Sequence, residues 1–382
     1  MEGARVTLSE RDKLQVGMDR LFGAVAREAA ATPTDVPAFR SLGHAFRVVT
    51  GRSPLEMSSH PIADAREAIT AATWVNILGA SMHRRLIKDY LAPAYGEEAI
   101  CSVRPGGIPN FKNQETLRPD YLADLDDVDP ETADYVEIAP PGDEGVTYAV
   151  GQKGNLLSIT RKVLLNDDLG AVTRMMGRLG RAARRTKAKY VWNFWINNAT
   201  YGMDRTAWFT VGHGNLIATT LTADQTGAGH VLDAIIALGT MTEPGSGERL
   251  GLPELRSLLL WLVVPMDLMG IARQLNQSNT LPNPANVQVP NPIYHLFGPN
   301  DERVIVNSLL ADATDWGVFR DPSEVDSIEI GFLNDQREPE FFAADIPTVG
   351  QTFVADKQQF KVRHEYGAAI VEFRGAVKSE NP

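Results

Sequence analysis

One cysteine, Cys101, is the only thiol in the 382-residue chain. That excludes an internal disulfide framework and any Cys-rich zinc or iron–sulfur site. Cys101 itself reads as a small hydrophobe in a strand. Positive charge is in deficit, with 37 Lys plus Arg against 48 Asp plus Glu and a net charge of −11. The chain as a whole therefore lacks the basic surplus of a generic nucleic-acid binder. Long apolar runs are missing too. The longest, Leu258–Met266, is interrupted by Pro265 and falls far short of the roughly 20 residues a bilayer requires. Met1–Ser9 is polar and is not expected to act as a signal peptide.

Catalytic signatures are absent in the same way. There is no phosphate-binding P-loop and no G-x-S-x-G elbow. The seven histidines are scattered at 44, 60, 83, 213, 230, 295 and 364, with no zincin pair. His213 lies between two glycines and reads as a turn residue. The glycines from Gly245 to Gly251 have the wrong spacing for a dinucleotide loop. Asp167 and Asp168 are explained as helix-start residues rather than a metal pair. The expectation is a protein that is not an enzyme, with no cofactor and no metal.

What is present is enough apolar residue, 43%, for a sizeable core. Helices are predicted over Ser9–Ala31, Ala38–Val49, Ala63–Leu91, Leu169–Asn198, Ala223–Thr240 and Pro265–Leu275. Residues 1–61 read as an arm outside the central core. Strands are predicted at Tyr135–Ile138, Val146–Val150, Leu156–Thr160, Leu258–Val264, Val304–Asn307, Gly317–Arg320, Ser327–Phe332, Phe360–His364 and Ala368–Gly375. Thr206–Thr220 reads as strands around a Gly turn, and Asn276–Pro292 as a surface loop. Helices and strands do not alternate regularly, so the fold class is α+β.

Two segments are unusual. Residues 103–161 form a long, mostly extended excursion, and from Pro119 through Gln152 there are ten acids and no Lys or Arg. Loops of that length are generally functional. The helix from Leu169 carries Arg174, Arg178, Arg181, Arg184, Arg185, Lys187 and Lys189 with no acid between them. Arg174, Arg178, Arg181 and Arg185 share one face. A self-repelling row of this kind reads either as a solvated face or as the seat of an anionic partner, nucleic acid or the acidic segment of a neighbouring subunit. Gly170, Gly177 and Gly180 permit close packing of the same helix.

Four ordered segments carry a resemblance. The first is Val146-Thr-Tyr-Ala-Val-Gly-Gln-Lys-Gly-Asn155, running on to Gly170 and to Arg178-Leu-Gly-Arg-Ala-Ala183. The second is Trp208-Phe-Thr-Val-Gly-His-Gly-Asn-Leu216. The third is Leu262-Val-Val-Pro265 with Asp315-Trp-Gly-Val-Phe-Arg-Asp-Pro322 and Ile328-Glu-Ile-Gly-Phe-Leu-Asn-Asp-Gln336. The fourth is Phe360-Lys-Val-Arg-His-Glu-Tyr-Gly367 with Arg374-Gly375. Over residues 60–378 the set resembles tailed-bacteriophage major capsid (major head) proteins of the Mu-like head-subunit group.

The resemblance implies an N-terminal arm with helices (1–102), an extended β-hairpin loop (103–161) and a peripheral domain with a long spine helix (162–225). It further implies an axial domain (226–345) and C-terminal strands that return to the peripheral domain (346–382). The implied function is a structural subunit that self-assembles as hexamers and pentamers into the icosahedral head around double-stranded DNA. The alternative is an encapsulin-like nanocompartment shell. Implied partners are copies of itself, packaged DNA through non-specific contacts, and scaffold, portal, protease and decoration proteins, with no membrane. The place of action is the virion capsid, after synthesis in the host cytoplasm. The acids Asp124, Asp126, Asp127, Asp129, Glu131 and Asp134 are the expected intersubunit loop charges. Arg174, Arg178, Arg181 and Arg185 are the expected intersubunit or DNA-facing charges. Leu21, Phe22, Trp74 and Tyr90 are expected as apolar anchors, on an N-terminal arm that stays in the shell.

Overall fold

A computed structural model describes residues 9–24, 36–50, 65–119, 143–160, 169–242, 247, 249, 259–343 and 357–380. Its helices are α1 (Glu10–Phe22), α2 (Leu42–Thr50), α3 (Ala65–Leu91), α4 (Leu169–Ile196), α5 (Gln225–Thr240) and α6 (Met269–Gln277). The strands are β1 (Cys101–Val103), β2 (Gln114–Pro119), β3 (Asp143–Tyr148), β4 (Gly151–Thr160), β5 (Leu216–Ile217), β6 (Leu260–Pro265) and β7 (Thr280–Pro282). They continue with β8 (Gln288–Pro290), β9 (Val304–Asn307), β10 (Trp316–Arg320), β11 (Ile328–Phe332), β12 (Glu340–Ala343), β13 (Lys357–Ile370) and β14 (Ala376–Ser379). The class is α+β, as predicted. The chain divides into two compact units, one of Met1–Ala94, Gln152–Thr186 and Gln336–Glu365, the other of Tyr95–Gly151, Lys187–Asp335 and Tyr366–Pro382.

In the first unit, Ser9 caps α1 by accepting the Asp12 N–H, and Gly23, left-handed at φ 61, closes it. Gly23 ends the helix at Phe22, short of the predicted Ala31. Met18 and Phe22 of α1, Leu42 and Phe46 of α2, and Trp74, Leu78 and Met82 of α3 share a core with Ile159, Val172, Met176 and Phe360. Phe46 meets Trp74 edge-on at 5.1 Å between ring centroids. Asp19, buried between α1 and α3, accepts from Ser81 Oγ at 2.6 Å and Gln15 Nε2 at 3.1 Å and pairs with Arg84. Helices α1 and α2 therefore do not stand outside a core but complete one, because their apolar stripes have no other way out of water. Here β12 pairs antiparallel with β13, from Glu340↔Arg363 to Ala343↔Phe360, and β4 pairs with β13 as well.

The second unit has two cores. One gathers Trp192 and Trp195 of α4 with Trp208, Phe209, Phe319, Ile330 and Tyr366. It lies by the parallel pair β1–β11, in register Cys101↔Ile328, and the antiparallel pair β11–β13, running Ile328↔Ile370 to Phe332↔Tyr366. The other core joins α5 and α6 to the sheet ordered β5-β14-β10-β6-β9. Strands β10 and β11 are buried at every residue, which suits their apolar composition. Asp224 caps α5 by accepting the Gly227 N–H at 3.0 Å.

Three further predicted elements differ, and the strand predicted at Tyr135–Ile138 lies outside the described residues. Residues 206–220 are mainly turns, with only the two-residue β5 as strand, because side chains rather than a ladder satisfy this backbone. Asn276–Pro292 is not simply a surface loop: it holds the β7–β8 hairpin between two buried asparagines. Asn276 accepts the Phe297 N–H at 3.0 Å and donates to Gly298 O at 2.7 Å, while Asn291 donates to Leu275 O at 2.6 Å. Their amides stand in for missing backbone partners. The strands expected at 360–364 and 368–375 are one strand, β13, which ends at Ile370 and is followed by a 3-10 turn over Phe373–Gly375.

Candidate functional site

Helix α4 sorts its basic residues by direction. Arg174, Arg178, Arg181 and Arg185 are exposed, and at about 100° per residue they fall within roughly 60° of the circumference. Arg181 is engaged, at 3.0 Å from Asp89, although its side chain is still 51% exposed. Arg174, Arg178 and Arg185 have no hydrogen bond or ion pair among the described residues. Arg184 points inward, donating Nε–H to Pro93 O at 3.2 Å and lying 5.7 Å from the Tyr90 ring centroid. Lys187 is buried 3.0 Å from Glu98 and 3.5 Å from Glu97. The helix therefore does have acidic compensation. It comes from the end of α3 and the residues after it, which a scan along α4 alone cannot see.

Close packing fixes that arrangement. A Cβ at Gly180 would collide with the Leu86 carbonyl oxygen, and one at Gly177 would crowd the Asp89 carboxylate at 2.8 Å. The two glycines let α4 approach α3 closely enough for Arg181 to reach Asp89, which also pairs with Arg85 one turn away on its own helix at 2.5 Å.

The excursion begins at a two-stranded hairpin. Strands β2 and β3 pair from Gln114↔Tyr148 to Pro119↔Asp143. Thr116, Val146 and Tyr148 turn to the protein, while Leu117 is exposed. Glu329 of β11 accepts from Tyr148 Oη at 2.6 Å, Thr116 Oγ1 at 2.7 Å and Arg104 at 3.3 Å. Burial, and then the bond to Glu329, push the Tyr148 phenol up. The predicted acids Asp124, Asp126, Asp127, Asp129, Glu131 and Asp134 lie outside the described residues, as do Asp167 and Asp168. Of the predicted apolar anchors, Phe22, Trp74 and Tyr90 are buried within their own unit and cannot serve a neighbour. Exposed apolar side chains occur instead within the excursion, at Phe111, Leu117 and Leu156.

The remaining polar clusters hold the fold. His213 sits in its predicted turn, with Nε2 2.5 Å from Asp204, Nδ1 2.9 Å from Trp208 O and the ring stacked on Phe373 at 4.0 Å. Burial opposes ionisation of Asp204, but hydrogen bonds from Thr206 and His213 outweigh it and hold the carboxyl below the usual range. Lys378 is buried 2.8 Å from Asp315, whose carboxyl is pushed up by burial. Burial likewise pushes up the Cys101 thiol, which behaves as a core residue of β1.

A family model described as phage capsid protein matches residues 143–379. No curated protein matches the sequence. Among solved structures, the capsid of a native GTA particle is 13% identical, covering 76% of this chain and 91% of that one, with a TM-score of 0.49. The virus-like particle from Pyrococcus furiosus is 8% identical, covering 79% and 98%, with a TM-score of 0.45. The procapsid of bacteriophage JBD30 is 12% identical, covering 81% and 75%, with a TM-score of 0.40.

Proposed function

Because the chain belongs to the phage capsid protein family, as a structural and non-enzymatic major capsid protein of the virion shell, we propose that it assembles as hexamers and pentamers into an icosahedral head around double-stranded DNA. The match to the capsid family over residues 143–379 carries this reading. Within that family, the ordered motifs favour the Mu-like head-subunit group. Along the chain the roles run as arm and helices (1–102), extended loop (103–161), peripheral domain with α4 as spine (162–225), axial domain (226–345) and returning strands (346–382). This division follows role, whereas the two compact units group residues by packing.

Assembly is proposed to use two surfaces. The acids Asp124, Asp126, Asp127, Asp129, Glu131 and Asp134 meet basic groups of an adjacent subunit, with Phe111, Leu117 and Leu156 adding apolar contact. Arg174, Arg178 and Arg185, with Arg181 in a lesser share, supply positive charge to a neighbour's acids or to packaged DNA. Each exposed pair contributes about 0–1 kcal/mol, so the effect lies in register and in repetition over many copies. Scaffold, protease, portal and decoration proteins are the further partners of a head made in the host cytoplasm.

Negative-stain microscopy of the purified protein, with nuclease-protected nucleic acid assayed on the same particles, tests the function. Angular shells several hundred ångströms across, holding long DNA or empty at that size, are expected. Small uniform shells packed with protein would overturn the head in favour of a nanocompartment. A dispersed monomer or dimer, persisting when scaffold is supplied, would overturn the shell altogether.

A further inference from the structure

The root of the β2–β3 hairpin is held by one carboxylate. Glu329 lies in the middle of its sheet, paired with Ser102 of β1 on one side and Ala369 of β13 on the other. Its backbone position is thereby fixed. On its side chain converge hydrogen-bond donors from separate segments: Thr116 of β2 at 2.7 Å, Tyr148 at the end of β3 at 2.6 Å and Arg104, just after β1, at 3.3 Å. Arg104 also donates to Thr116 Oγ1 at 2.7 Å and to Glu115 O at 3.2 Å, which ties the cation to β2 a second time. In the hairpin register Gln114 faces Tyr148 and Thr116 faces Val146, so Thr116 and Tyr148 are diagonal neighbours on one face. Both strands therefore present a hydroxyl to the same oxygen, and a small rotation of the hairpin would break both bonds together. A glycine follows two residues on: a Cβ at Gly331 would press on the Tyr148 hydroxyl at 2.7 Å and on Ile108, so the sheet is cut away where the tyrosine sits.

Burying a carboxylate is unfavourable unless donors surround it. A purely structural solution would draw those donors from the sheet itself. Here they come from the hairpin and the segment leading into it. We propose that Glu329 is a positioning residue that fixes the direction in which the extended loop leaves the subunit, and so keeps assembled shells uniform. Its assembly role rests on the capsid reading above, but its local role does not.

Hydrogen exchange on the purified subunit and particle-size distributions after assembly test it together. In Glu329→Gln, exchange of the amides in 114–119 and 143–148 should rise about tenfold, while β6 and β10 stay as in the parent. Shells should broaden in diameter. Tyr148→Phe should show a smaller rise in the same amides, and Thr116→Val likewise, with Thr116→Ser restoring the parent pattern. Unchanged hairpin exchange in both Glu329→Gln and Tyr148→Phe would overturn the proposal. So would a rise spread evenly over the second unit, which would make Glu329 a general stability residue. A loosened hairpin with shells of parental uniformity would overturn the link to assembly. If the parent chain forms no shell at all, the capsid reading fails, and the exchange data still decide whether Glu329 holds the hairpin.

Discussion

Arg174, Arg178 and Arg185 of helix α4 turn their guanidinium groups to solvent, whereas two residues further on Lys187 is only 6% exposed and lies 3.0 Å from Glu98 and 3.5 Å from Glu97. The same helix thus carries two kinds of positive charge. A buried cation is committed to its own chain, since water cannot replace its partner. Exposed cations without partners cost the fold little and remain available to something outside it. The contrast separates residues that hold the subunit together from residues left available to a partner.

The contrast breaks first at its buried end. Lys187→Met should take the cation away from the buried Glu97 carboxylate and cost about 3–5 kcal/mol, measured by urea unfolding of the purified subunit. A loss below about 1 kcal/mol would show that the buried pair is not what commits this end. Gly180→Ala comes next. Its methyl group meets a backbone oxygen of α3 that cannot swing away, so about 1–3 kcal/mol is expected from thermal unfolding, with Arg181 shifted away from Asp89.

Asp224→Ala, at the start of α5 and remote from α4, calibrates the scale at about 1 kcal/mol. The Thr222 hydroxyl, and then the Gly227 N–H, hold the Asp224 carboxyl below its ordinary value. Its contribution is therefore complete above the unfolded carboxylate value of about 4 and fades as pH falls through the depressed one. The stability gap between parent and variant should close in acid, as pH-dependent urea melts would record. The smallest effect is expected at the exposed end. Changing Arg174, Arg178 and Arg185 together to Gln should leave unfolding within about 0.5 kcal/mol of the parent. The salt dependence of shell assembly should nonetheless weaken, as light scattering over a salt series would show. Equal salt curves would remove these arginines from the proposed assembly surface.

Much of this was legible in advance, for reasons that can be named. Helix α4 shows in its 3.6-residue apolar stripe, because one face must be buried whatever it packs on. Gly177 and Gly180 announced a close approach but not to what; Leu86 and Asp89 lie some ninety positions earlier in the sequence, and no local pattern links them. For the same reason the basic helix looked uncompensated until Asp89, Glu97 and Glu98 came beside it. Turn-forming asparagines misled in the opposite direction. Asn276 and Asn291 have loop composition, yet they are buried because an amide can replace backbone partners. Glu329 lies within one of the family motifs, but nothing in the sequence marks its role, since an acid in an apolar strand is recognisable only once Thr116, Tyr148 and Arg104 surround it.

The placement of aromatic residues has an optical consequence. Of the six tryptophans, Trp74 alone belongs to the first unit, while Trp192, Trp195, Trp208, Trp261 and Trp316 belong to the second. All but Trp261 are almost fully shielded from water, so native emission should be blue-shifted and nearly indifferent to what binds outside. In a Trp74→Phe chain, fluorescence would follow the second unit only, while circular dichroism at helical wavelengths would still follow both. The gap between the two signals during denaturation would then read out, without labels, whether the first unit lets go before the tryptophan-rich second one does.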